Sequence, residues 1–397
     1  MPKIIPSRCR YVPVTRLRRP PGEVLSSHRV AFKKKLGPNS AGLYGLFQRT
    51  IRKDMMAIIS NGKRFAQIKY TVEKDFEEEV VAQSKILFGK STIYINAKKK
   101  IDSKSLGGAV PDGFFFDFAD STDPQFYVVE VELSEHSFYN HIFPQITKFF
   151  AFFKSTRLRK SLVDKLFSVV EADEMLRNEF KKYLGSLEVY KFLSDIIESS
   201  QNILLVADAP INELPEIMDT YTDTWGKMVR YLEVRKHCSG TDTIYTVNPD
   251  FETLQYEGDE EPEDEETEEE IPKYSEAFHL EDAKQNIKEV YSRIKSIAAK
   301  IDESLIFNTQ KYYISIKANK NIAFIKFRVK KIRFVVMMPE SEIRKYIKNH
   351  AVAPLSAAVQ NFYNGPCAAV DIINLDHMDE IELLIRKMVE YNKPSSV

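Results

Sequence analysis

Three carboxylates stand among aromatic and β-branched residues in the stretch GGAVPDGFFFDFADSTDPQFYVVEVEL: Asp112, Glu130 and Glu132. A carboxylate in apolar surroundings is costly unless it is paired, protonated or bound to a cation. Alternate residues of a strand share a face, so Glu130 and Glu132 lie on one side of YVVEVEL, and Val129, Val131 and Leu133 on the other. A Pro-Asp-Gly turn exposes Asp112 at the start of FFFDF, and pairing the two strands as a hairpin brings it toward the glutamates. Converging carboxylates repel one another unless a hard cation sits between them, and oxygen ligands with retained waters suit Mg²⁺ or Mn²⁺. An ion so held can activate water and neutralise charge on a phosphodiester during in-line attack. The competing reading is a half-exposed strand whose glutamates pair with the abundant Lys and Arg.

The elements that must position these residues are legible from periodicity. In EKDFEEEVVAQSKILFG, Phe76, Val80, Gln83 and Leu87 recur on one helical face and Gly89 supplies a stop. STIYINAKKKI reads as a short strand running into a basic turn, and FPQITKFFAFFKS as a helix with Pro144 in its first turn. Residues 156–200 are helical in pattern, NILLVADAP is a buried strand, 211–226 a helix and MVRYLEVRKH a further strand. That order describes one α/β domain, placed at 65–248, with a mixed sheet flanked by helices. A basic arm and accessory segment precede it at 1–64. An acidic, disordered linker is expected at 249–272, because Glu257–Glu270 holds eleven acids and no base. A small α+β domain follows at 273–397, opened by an amphipathic helix through Ile287, Val290, Ile294, Ile297 and Ile301 and continued by three strand-like segments and two helices.

The domain at 65–248 resembles the PD-(D/E)XK nuclease superfamily, of restriction-enzyme and RecB-like type. Pro111-Asp112-Gly113 matches its PD element, and Glu130-Val131-Glu132 takes the place of (D/E)-x-K. The resemblance implies a restriction-endonuclease-like core and hydrolysis of DNA with Mg²⁺ or Mn²⁺, with RNA left open as substrate. It implies Asp112 and Glu130 as principal metal ligands, with Glu132 and an acid of the preceding helix, assigned to Glu79, supporting them. Gln145 matches the Gln of the family's Q-x-x-x-Y helix, with Phe149 where the Tyr would be. The departure is Glu132, which stands where the family usually has lysine; Lys148, near Gln145 on the same helix, is the candidate replacement. A defence or restriction setting follows from the resemblance alone. The stretch KYYISIKANKNIAFIKFRVKKIRFVVMM is similar to a small domain of unknown function at the end of some bacterial nuclease-like proteins, which implies no chemistry. The alternative from a different class is a nuclease fold that has lost catalysis and binds DNA or a protein partner.

Net charge is zero over 397 residues, yet residues 1–104 carry 23 Lys and Arg against 8 Asp and Glu. A basic front suggests a polyanionic partner. Arg16, Arg18, Arg19, Lys33, Lys34, Lys35, Lys98, Lys99 and Lys100 are the candidate phosphate contacts, and a homo-oligomer or accessory protein is the other partner considered. His136 and His141 flank SFYN and are further candidates for touching substrate or metal; five residues apart, they are not a familiar ligand pair, and ordinary surface or satisfied histidines are the simpler reading. No P-loop, dinucleotide fingerprint or G-x-S-x-G occurs. Cys9, Cys238 and Cys367 are too scattered for a disulfide or zinc framework, and no run of about eighteen apolar residues offers a membrane span. The expectation is a cytoplasmic protein without membrane contact.

Overall fold

A computed structural model describes residues 56–100, 110–254 and 274–392, with only the backbone given for Lys99 and Lys100. Arg16, Arg18, Arg19, Lys33, Lys34, Lys35 and the acidic run therefore lie outside the described residues. The chain divides into two compact units. The smaller contains strands β1 (Ala57–Ser60) and β2 (Lys63–Ile68), paired antiparallel, with β2 along the far half of a long strand, β7 (Val229–Ser239).

The larger unit contains a mixed sheet and a second, antiparallel sheet. In the mixed sheet, β3 (Thr92–Asn96), β4 (Gly113–Asp117) and β5 (Gln125–Glu132) run antiparallel to one another. Strand β6 (Asn202–Ala207) then lies parallel to β5, and the near half of β7 parallel to β6. The expected hairpin of FFFDF with YVVEVEL is present, in the register Gly113↔Val129 to Asp117↔Gln125. β6 is buried along Ile203–Ala207, the near-continuous apolar run expected of a central parallel strand covered on both faces.

Helix α1 (Glu73–Leu87) buries Phe76, Val80, Ser84 and Leu87, and the chain leaves it through Gly89 in the left-handed region at φ 95°. Where a basic turn was expected, a one-turn helix, α2 (Ala97–Lys100), follows β3. The crossover from β5 to β6 is a π-helical turn (Phe138–Ile142) and four helices: α3 (Phe143–Lys154), α4 (Thr156–Ala172), α5 (Glu174–Leu184) and α6 (Val189–Ser199). Their apolar faces share one core with Phe114, Phe116, Phe126, Val128, Ile203 and Leu205 of the sheet. By alternation Glu130 and Glu132 continue the row of Phe126 and Val128, so a core-facing row turns acidic where β5 ends.

The second sheet has six antiparallel strands in the spatial order β13 (Ala351–Pro354), β14 (Ala368–Ile372), β12 (Lys331–Val336), β11 (Asn321–Arg328), β10 (Ile314–Lys317) and β9 (Ile306–Thr309). One of its faces is covered by the expected amphipathic helix α9 (Gln285–Ile301) and by α12 (Met378–Tyr391). β11 (Asn321–Arg328) and β12 (Lys331–Val336) are joined by a turn whose cations meet the β4–β5 turn. Arg328 Nη2 lies 2.9 Å from Asp123 Oδ2 and Lys331 Nζ 3.3 Å from Asp123 Oδ1. Fully buried Arg333 joins Asp120 and, at 3.0 Å, Asp371. Burial works to raise the Asp123 carboxyl, but Arg328 and Lys331 outweigh it and hold the group below its ordinary value.

Removing one partner of a buried ion network leaves the others uncompensated, at about 3–5 kcal/mol. Arg333→Ala is expected to lower unfolding stability by about that amount. Lys330→Ala breaks only the exposed pair with Asp195 and is expected to cost about 0–1 kcal/mol. Urea unfolding of the two variants checks the contrast.

Candidate functional site

The start of β4 and the end of β5 bring Asp112, Glu130 and Glu132 into one region, each less than 5% exposed. Asp112 is fixed by the ladder itself. Its N–H donates to Val129 O at 3.0 Å, and its Oδ2 accepts from Val131 N–H at 2.7 Å, so the side chain takes the place of a backbone carbonyl just past the last strand pair. Gly113 is required for a separate reason. A Cβ at this position would overlap the ring of Tyr94, which lies on β3 across from β4. The Pro-Asp-Gly sequence thus supplies a carboxylate where the ladder ends and a bare backbone where an aromatic ring passes. Tyr94 carries a buried hydroxyl without a hydrogen bond, and burial, then Asp112 and Glu130, push its ionisation well upward.

The carboxylates are not solvated strand residues, so the half-exposed reading does not hold. Burial raises Asp112 to about 6 against the pull of Lys98 and the Val131 N–H. Burial, then the like charges of Asp112 and Glu132, raises Glu130 well above the ordinary carboxylate range. Burial raises Glu132 to about 7, opposed by His136. Glu130 Oε2 is buried without a hydrogen bond.

Helix α1 adds two further acids. Glu77 Oε1 is 2.8 Å from Lys98 Nζ, and Glu73 Oε2 is 3.1 Å from His136 Nδ1. Glu79, the acid expected from this helix, lies about 160° around the axis from Glu77 at 100° per residue. It sits on the opposite flank of the apolar stripe and is absent from the acid–histidine cluster. Nearness to the apolar face prefers Glu79 to Glu77 and Glu78, a criterion that does not separate the two flanks beside that face; the i, i+4 pair Glu73 and Glu77 marks the flank turned to β5.

Lys98, expected as a phosphate contact, instead bridges Asp112 and Glu77 with its ammonium. Burial works against its charge, yet hydrogen bonds to Asp112 and Glu77 raise its pKa. It places an amine beside the first carboxylate, the chemistry expected of Lys148, which stands exposed on α3. Gln145, also on α3, has a buried Oε1 without a hydrogen bond. The two histidines come together as well. His136 Nδ1 is 2.9 Å and His141 Nε2 3.3 Å from the two oxygens of Glu132. Their five-residue spacing works because the turn and the π-helix between them, closed by Phe143 N–H on Phe138 O, are wider than an α-helical turn.

No protein-family model matches the chain, and no solved structure matches it. Over 74 residues it is 34% identical to an uncharacterized protein of Haemophilus influenzae, a stretch covering 19% of this chain and 24% of that protein. Among the described residues no helix is long and apolar enough to cross a membrane.

Two outcomes test this geometry. In chelator, groups raised by burial favour the fold below their unfolded-state pKa, and that contribution is lost as pH rises through about 6 for Asp112 and about 7 for Glu132. Glu130→Gln is therefore expected to gain stability relative to the parent between pH 5 and pH 8 in urea melts, and to gain nothing near pH 4. Gly113→Ala is expected to destabilise by about 1–3 kcal/mol through overpacking. Adding Tyr94→Ala should make the double variant less unstable than the sum of the two single changes.

Proposed function

We propose that this protein is a metal-dependent nuclease that hydrolyses phosphodiester bonds, with DNA as the expected substrate and Asp112 and Glu130 as the principal ligands of Mg²⁺ or Mn²⁺. The observation that carries the reading is the buried carboxylate pair at the β4–β5 ladder end, with a Glu130 oxygen that no protein group satisfies. Buried like charges with a free oxygen suit a hard, oxygen-seeking cation. When bound, such an ion would polarise a phosphoryl oxygen and lower the pKa of a bound water.

The protein's own groups then have distinct tasks. Asp112 is held in one rotamer by the Val131 N–H, so its other oxygen, which meets the Lys98 ammonium, is preorganised. Lys98 carries a positive charge beside it, suited to steadying the charge that develops on a phosphate in the transition state. Gln145, with its carbonyl oxygen buried and unsatisfied, is suited to position a water or a substrate hydroxyl. Glu132, buried at the end of the same strand, is an additional acid suited to orient a water. The resemblance to the PD-(D/E)XK superfamily supports the assignment, with the amine supplied by Lys98 rather than by the third position of the motif.

One observation favours the second reading, a nuclease fold that binds nucleic acid without cutting it: the Lys98 ammonium already neutralises Asp112. Incubation of linear duplex, circular duplex and single-stranded DNA, and of RNA, with Mg²⁺, Mn²⁺ or EDTA separates the two. The nuclease reading expects metal-dependent cutting that Asp112→Ala and Glu130→Ala each reduce to the EDTA level. Lys98→Met should lower the rate by about 10²–10⁴-fold, the weight of a positioned catalytic group. Tight binding with no cutting under any metal overturns it in favour of the binding protein.

A further inference from the structure

Beside the Asp112–Glu130 pair stands a second set of ligand-type side chains with a different chemistry. Glu73 comes from the first turn of α1, Glu132 from the last residue of β5, His136 from the turn that follows and His141 from the π-helix. One nitrogen or oxygen of each lies within 4.8 Å of those of all the others. His136 Nδ1 is 2.9 Å from Glu132 Oε2 and 3.1 Å from Glu73 Oε2. His141 Nε2 is 3.3 Å from Glu132 Oε1 and 4.0 Å from Glu73 Oε2. A tetrahedral ion with bonds of about 2.0–2.1 Å sets its ligand atoms about 3.3 Å apart, in the middle of this range.

An independent observation points into the same space. Glu132 is 1% exposed, and its Oε1 and the facing His141 Nε2 are both buried with no hydrogen bond, although 3.3 Å apart. Two buried polar atoms that face each other at this distance without a hydrogen bond, one on a fully buried carboxylate, are suited to share a third partner. Glu73, His136 and His141 retain between 28% and 44% side-chain exposure, so an ion can enter from solvent.

We propose that Glu73, Glu132, His136 and His141 bind a transition-metal dication of the Zn²⁺ class, at a site distinct from the one that a hard cation would occupy at Asp112 and Glu130. Imidazole nitrogen selects d-block ions, whereas Mg²⁺ and Ca²⁺ favour all-oxygen shells. Two carboxylates and two neutral imidazoles carry two negative charges, which a dication cancels. Bound there, the ion ties the start of α1 and the π-helix to the end of β5, and thereby fixes Glu132. The proposal does not depend on nuclease activity.

The test uses the full chain, freed of metal with chelator and titrated calorimetrically with Zn²⁺ alone, then with Co²⁺ alone followed by visible absorption. One equivalent of Zn²⁺ is expected, with Kd below about 1 μM, and an intense tetrahedral Co²⁺ spectrum. His136→Ala/His141→Ala should weaken Zn²⁺ binding by at least about 100-fold, since even outer-shell partners of a metal site are worth about 10–100-fold. Circular dichroism checks its fold, and His141→Gln serves if that double variant does not fold. Asp112→Asn/Glu130→Gln should keep the tight equivalent. The proposal is overturned if the parent binds Zn²⁺ no tighter than the histidine variants, or if the tight equivalent disappears with Asp112→Asn/Glu130→Gln. Zn²⁺ binding without any Mg²⁺- or Mn²⁺-dependent cutting sinks the nuclease reading alone, and cutting without a tight Zn²⁺ equivalent sinks this one alone.

Discussion

The hydrogen bond from Val131 N–H to the carboxylate of Asp112 is the constraint around which the larger unit's candidate site is built. It makes an acidic side chain part of a strand ladder, so the charge is buried wherever the sheet is formed. A buried carboxylate left alone costs several kcal/mol or gives up its charge. The neighbours divide that burden. Lys98 supplies a cation from the short helix after β3, Glu77 holds Lys98 in turn, and Glu130 and Glu132 respond by shifting their protonation upward. The local electrostatics descend from one backbone N–H needing an acceptor where two strands part.

Much of the fold was legible in the sequence because its signals are periodic. Strand alternation found Glu130 and Glu132 on one face, the hairpin followed from two aromatic-rich runs, and the 3.6-residue repeat found α1 and α9. The short strands β9 and β13 (Ile306–Thr309 and Ala351–Pro354) escaped notice, since four residues carry too little pattern to separate a strand from a loop. The burial of the glutamates was not readable either. An acid alternating with valine looks the same in a solvated strand and in a core row that turns acidic at its end.

The site was legible where side chains depend on strand geometry and obscure where they depend on the meeting of distant elements. Asp112 could be placed because it opens a strand beside its partner. Glu73 could not, because its relation to His136 arises only when α1 and the turn after β5 are brought together. Lys98 looked like one charge of a basic run, and nothing local distinguishes it from Lys99 or Lys100 until α2 turns it toward Asp112. The histidine pair was set aside because five residues is an unfamiliar ligand spacing, which the turn and π-helix between them make workable.

The ion network between the two sheets bears on how such a chain can be inherited. Its carboxylates at Asp120 and Asp123 and its cations at Arg328 and Arg333 lie between 205 and 213 residues apart in sequence. A crossover anywhere between them would join acids from one parent to a turn from the other, and any mismatch would leave buried charge without its counterion. Recombination would therefore treat the two sheets as one heritable block, and drift at either end would be tolerated only when the other end changes in step.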